Sequence, residues 1–93
     1  MKYFYEAVRL SDWNIFNIDV GHIEPFVGTN EMKINDLVVL NIGKNFLGYQ
    51  KGVYGIGLIV KEPYINYDNP NDHCYGQTTV DIKILYLNQK IFY

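Results

Sequence analysis

The segment from Val53 to Lys61, Val-Tyr-Gly-Ile-Gly-Leu-Ile-Val-Lys, is an apolar run of strand length that carries Gly55 and Gly57 two residues apart. Successive side chains of a strand point to opposite faces, so both glycines lie on one face and leave it bare. A bare strip of this kind either lets another group approach the backbone or lets the strand coil sharply. Both outcomes favour a closed, curved sheet over a flat one. Glu62-Pro63 ends the strand, because proline has no N–H to give to the ladder.

The neighbouring segments supply more strands. Ile34 to Ile42 contains the unbroken apolar run Leu37-Val38-Val39-Leu40, as expected of a central strand covered on both faces. Tyr3 to Leu10 predicts a first strand. Thr78 to Tyr86 predicts a half-buried one, with Val80, Ile82, Ile84 and Tyr86 facing one way until Leu85 and Leu87 break the alternation. Asn41 to Gly52, with Gly43 and Gly48, reads as a hairpin-like connection. Ile15 to Val20 reads as a short helix or an irregular piece. Gly21 to Asn30 holds Pro25 and Gly28, too much punctuation for a long element, and predicts a loop with a brief helical turn after Gly28. Tyr64 to Gln77 is a long polar loop studded with aromatics. The expected fold is α+β and mostly β: a small curved, mixed or antiparallel, barrel-like sheet with one or two short helices.

With 93 residues, 48% of them hydrophobic and 19% charged, the chain fits one domain with a modest core and room for one pocket. Eight Lys and Arg against ten Asp and Glu give a net charge of -2, so affinity for nucleic acid through bulk charge is excluded. Any such role must rest on a local patch or on recognition of a base. The single Cys74 forms no internal disulfide, and with His22 and His73 it makes no spaced pairs of zinc ligands. That usage fits a reducing cytosol. No apolar run approaches the ~20 residues that span a bilayer, and charges arrive too early for a signal peptide, so a cytoplasmic chain without a membrane partner is expected. The apolar ending Lys90-Ile91-Phe92-Tyr93 suggests one module of a longer polypeptide.

The sequence offers little for catalysis. Cys74 beside His73 is poorly placed for a working dyad, His22 is a distant base, and a lone cysteine is inert by default. Glu24, Glu31, Asp36 and Glu62 sit near turns, where capping is the ordinary role. Gly55-Ile56-Gly57 lacks the third glycine and following helix of a dinucleotide site. No catalytic, metal or cofactor site is read. What remains is a surplus of rings, 16% of the chain, interleaved with asparagines. Stacking on an aromatic ring is worth about 1–3 kcal/mol per base, and Asn or Asp reads base edges through paired donors and acceptors. Any one tyrosine serves equally well as core filler, and Trp13 suits a pocket wall or a capped core position. His22 is read as a hydrogen-bonded loop histidine.

Met32-Lys33-Ile34-Asn35-Asp36-Leu37-Val38-Val39-Leu40, followed by Gly52 to Tyr64, resembles the EVE domains of the PUA-like superfamily, as do Trp13 and the closing Thr79 to Leu87. The family pattern most often has Gly where this chain has Asn35. Asn is the non-glycine residue most at ease at positive φ, so the turn survives. The family's long helix between the first two strands is shortened. The resemblance implies a non-catalytic module that accepts a modified, flipped base of DNA, the specificity domain of a modification-dependent restriction or defence protein, fused to or associated with a nucleotide-hydrolysing or nuclease subunit. In that picture Trp13, Tyr49 and Tyr64 build an aromatic cage. Asn17, Asp19 and Asn30 read base edges, and Lys44, Lys51 and Lys61 contact phosphates unless they are a solvated edge. The alternatives are an RNA-binding module of the same superfold and a protein or small-metabolite interaction domain.

Overall fold

The computed structural model describes residues 1–7, 19–42, 52–72 and 74–87. Among them lie the strands β1 (Tyr3–Ala7), β2 (Ile23–Val27), β3 (Leu37–Ile42), β4 (Gly52–Ile59), β5 (Tyr64–Ile65) and β6 (Thr78–Leu87). They form one sheet in the order β1-β3-β4-β6-β2, with β5 also paired to β6. β1 runs parallel to β3, and the other pairs are antiparallel. The sheet curls into a half-barrel.

The curl is centred on the glycines. The β3–β4 register shifts between Leu40 and Asn41, leaving Tyr54 as an extra residue, and the β4–β6 register shifts between Ile56 and Gly57, leaving Leu85 extra. Bulges on both flanks bend β4 and increase its twist. A Cβ at Gly55 would stand 2.5 Å from the Tyr86 carbonyl oxygen, and one at Gly57 would stand 2.1 Å from Ile82 Cγ2. Backbone approach and sharp coiling therefore occur together in this strand.

The Leu85 bulge also corrects the expected phase of β6. Val80, Ile82 and Ile84 are fully buried, but Tyr86 is 53% exposed, and Leu87 packs against the core in its place. One inserted residue exchanges the two faces of a strand. The core gathers Val38, Leu40, Ile59, Val80, Ile82 and Ile84 with Phe26, Met32 and Tyr54.

Two expectations need correction. Gly21 to Asn30 is not a loop: Ile23–Val27 is β2, paired with Lys83 to Thr79. Gly28 N–H donates to Thr78 C=O at 2.9 Å, which in this register gives the ladder bonds to the even-numbered residues of β2. Pro25 falls between them on the outermost strand, where its missing N–H costs nothing. The expected short helices are absent among the described residues. After Gly28 there is only a turn, closed by Met32 N–H to Thr29 C=O at 3.2 Å. The segment Ile15 to Ile18 lies outside the described residues. No helix among the described residues is long and apolar enough to cross a membrane.

The Met32–Asp36 motif joins β1 to the rest of the sheet. Asp36 is buried, with Oδ1 accepting from Lys2 N–H and Oδ2 from Lys33 N–H, each at 3.0 Å. These bonds, the Lys2 one foremost, hold its carboxyl below the usual carboxylate range. Asn35 adopts φ +75°, the left-handed turn anticipated for it, while its N–H donates to Ile59 C=O at 2.9 Å. Leu37 N–H donates to Lys2 C=O, which starts the parallel β1–β3 ladder.

Candidate functional site

Of the side chains expected in a base-binding site, the ones that can be placed lie around β6. β4 ends at Ile59, before Glu62-Pro63, and Tyr64–Ile65 then pairs with Thr79–Thr78 as β5. In this register Tyr64 shares its face with Thr79 and Asp81, opposite the core residues Val80 and Ile82. The Tyr64 hydroxyl donates to Asp81 Oδ1 at 2.6 Å, and Lys61 Nζ stands 4.1 Å from the centre of its ring. Burial, and then the bond to Asp81, raise the phenol well above its ordinary value, so Tyr64 stays a donor at every physiological pH.

The described residues of the loop after β5 are tied together by hydrogen bonds. Asn66 is 3% exposed and acts as its hub. Its N–H donates to Gln77 C=O, its C=O accepts from Gly76 N–H, its Oδ1 accepts from Asp68 N–H, and its Nδ2 reaches Asp72 Oδ2 and Cys74 Sγ. Thr79, fully buried, donates its hydroxyl to Gln77 C=O at 2.9 Å. Buried amides and hydroxyls that satisfy backbone groups replace the regular structure this stretch lacks. Tyr67 and Tyr75 stand on the outside of this frame as a perpendicular pair, ring centres 5.9 Å apart.

Asn30 is exposed at the tip of the turn after β2. Val27 and Tyr64 flank Thr79 from opposite sides, so that end of β2 lies ~10 Å from Tyr64. Asp19 belongs to the other end of β2, where Gly21 N–H donates to Ile84 C=O. Ile84 is roughly 16 Å along β6 from Thr79, so Asp19 and Tyr64 do not share a pocket. Trp13, Asn17, Lys44, Tyr49 and Lys51 lie outside the described residues. No family model, curated protein or solved structure matches the chain.

The remaining candidates have local roles. His22 Nε2 pairs with Glu24 Oε1 on the surface of β2, a hydrogen-bonded histidine as anticipated. Cys74 is fully buried against the Asn66 amide. Among the described residues no three His, Cys, Asp or Glu side chains gather where a metal ion could sit. Sequence reasoning missed Asp81, whose tie to Tyr64 spans 17 residues of chain, and Asn66, whose burial follows from the fold of its loop. It also missed Glu6, which sits opposite Leu40 on β1 and whose carboxyl burial pushes up to about 7.

Proposed function

We propose that the chain is a non-catalytic reader module of EVE type that receives a modified, flipped DNA base against Tyr64, serving as the specificity part of a modification-dependent restriction or defence protein. The observation that carries this reading is the Tyr64 ring itself, anchored through its hydroxyl to Asp81 with the Lys61 ammonium over it. A ring already fixed loses little freedom when a base stacks on it. In this reading the Lys61 ammonium leaves the ring to meet the phosphate that accompanies the base. Exchanging Lys61 for a base on the ring is favourable, because an exposed cation–π contact is worth about 0.5–1 kcal/mol and a stacked base about 1–3. Lys83, exposed on the same face of β6 as Asp81, adds a second positive charge. Asn30 supplies a paired donor and acceptor at the near end of β2.

Two further features support the EVE resemblance. Asn35 holds the positive φ that the family's glycine serves, and Asp36 fixes the turn between Met32 and β3. The module acts on behalf of a nuclease or nucleotide-hydrolysing partner that it recruits to modified DNA.

Fluorescence anisotropy with matched oligonucleotides tests the proposal, one strand unmodified and the others carrying single modified bases, each also prepared as RNA. A preference for one modified DNA is expected. Tyr64→Ala should weaken it by about 5- to 100-fold, while Tyr64→Phe keeps most of it because the ring remains. Equal affinity across the panel removes the reading, and a preference for the RNA strands transfers it to the 2′-hydroxyl-bearing ligand.

A further inference from the structure

The geometry points to a second binding surface on the loop between β5 and β6, where the Tyr67–Tyr75 corner and Asp68 receive an arginine-bearing segment of a partner protein. Tyr67 is 68% exposed and Tyr75 42%, and their rings meet at 83° with centres 5.9 Å apart. Ile65, also exposed, lies two residues before Tyr67. The Asn66 hub, buried Cys74 and buried Thr79 fix the backbone on both sides of the two exposed rings. Rings presented on a rigid frame bind with little loss of conformational freedom.

Charge decides what they bind. From Glu62 to Ile82 the chain carries Glu62, Asp68, Asp72 and Asp81, and neither Lys nor Arg. Asp81 is committed to the Tyr64 hydroxyl and Asp72 to the Asn66 and Asn69 amides. Asp68 is exposed and follows Tyr67 in the chain; its N–H donates to Asn66 Oδ1, and its carboxylate lies near enough to Tyr64 to help raise that phenol. A phosphate backbone is repelled by the 66–77 loop, whose carboxylates are Asp68 and Asp72, whereas a cation is drawn to the ring faces and to Asp68. A guanidinium suits the corner better than an ammonium, because its plane stacks on one ring while its fork of N–H groups meets the carboxylate. The molecule already uses this combination once, with Lys61 on Tyr64 and Asp81 behind it.

The test titrates the ¹⁵N-labelled full chain with capped Gly-Ser peptides bearing two Arg, two Lys or two citrulline residues, followed by amide and tyrosine-ring resonances. Saturable shifts confined to the 65–77 loop are expected with the Arg peptide, with binding weaker for Lys and at least about fivefold weaker for uncharged citrulline. Tyr67→Ala should weaken Arg-peptide binding about 3- to 10-fold and Tyr67→Phe should not, because the ring face is the contact. Asp68→Asn should flatten the salt dependence. Equal binding of Arg and citrulline peptides, no saturable shift, or tighter binding of a single-stranded oligonucleotide to these resonances overturns the proposal. The Arg, Lys and citrulline comparison and the Tyr67 variants do not depend on whether Tyr64 reads a base, and oligonucleotide binding counts against the proposal only where it shifts the Tyr67 and Tyr75 ring resonances.

Discussion

Replacing Gly57 by Ala probes the contact on which the curl of β4 depends. The added methyl would stand 2.1 Å from Ile82 Cγ2, against the roughly 3.5–4.0 Å at which two carbons rest. Cγ2 is bonded directly to Cβ, so only a change of χ1 or a backbone shift moves it, and χ1 of a β-branched residue is stiff. Ile82 is fully buried among Ile59, Ile84 and Val80, which leaves no space to rotate into. Overpacking of this kind costs ~1–3 kcal/mol, and the depth of overlap places Gly57→Ala near the upper value. For a domain of this size that lowers Tm by roughly 10–20 °C.

A mutant cycle separates this contact from any general intolerance of β4. Ile82→Ala alone costs about 2–5 kcal/mol through lost burial and a cavity. In the double variant the methyl introduced by Gly57→Ala occupies the volume that Cγ2 vacated, so the pair should be more stable than the sum of the singles by ~1–3 kcal/mol. Ile82→Val keeps Cγ2 and should give no rescue. Urea melts followed by far-UV circular dichroism give each value, with a constant m confirming that one transition is compared throughout. Gly57→Ala within about 0.5 kcal/mol of wild type, or strict additivity with Ile82→Ala, would refute the reasoning.

Glu6 should make the fold less stable as pH rises. Its carboxyl is raised from 4.5 to about 7 by burial, so the folded state holds the proton more tightly; stability is fully present below pH ~4.5 and declines as pH rises through 7. After allowance for solvent screening of a half-buried group the effect is about 1–2 kcal/mol, so Glu6→Gln should raise Tm at pH 8 and leave it unchanged at pH 4; equal shifts at both values would sink this assignment. At Asn35, whose φ is +75°, Asn35→Gly should lie within about 0.5 kcal/mol of wild type and Asn35→Ala should lose ~1 kcal/mol. Thermal melts of the two variants rank them, and Ala equal to Gly contradicts a left-handed requirement there.

β3, β4 and β6 were legible in the sequence because their signals are local: apolar runs, β-branched residues and a proline stop over a few consecutive positions. The left-handed turn at Asn35 was legible for the same reason. β2 was not, since Pro25 is tolerable only on the outermost strand, and strand order is a property of the whole sheet. The exposure of Tyr86 depends on a bulge defined by pairing with β4, and a bulge leaves no fixed mark in the strand that carries it. Glu6 looked like the polar half of an alternating strand. Its partner positions place it with Phe4 on the side facing the core.

The candidate site was legible as chemistry but not as geometry. Rings and amides could be counted, and Tyr64 with Lys61 could be chosen, but nothing local ties Tyr64 to Asp81 or separates it from Asp19. On the proposed reading, the arrangement also restricts how nucleic acid would approach Tyr64. Asp68 and Asp72 stand on the loop side and Asp81 beside the ring, while Lys61 lies over the ring and Lys83 follows two residues along β6 on the face of Asp81. Charges are felt within ~8 Å at physiological salt, so a strand lying across the loop would meet the carboxylates of Asp68 and Asp72, and one crossing β6 would meet Asp81 with the ammoniums of Lys61 and Lys83 on the same side. A backbone on that path would, on the same proposed reading, leave the Tyr67–Tyr75 corner uncovered, so the two proposed ligands would not exclude each other.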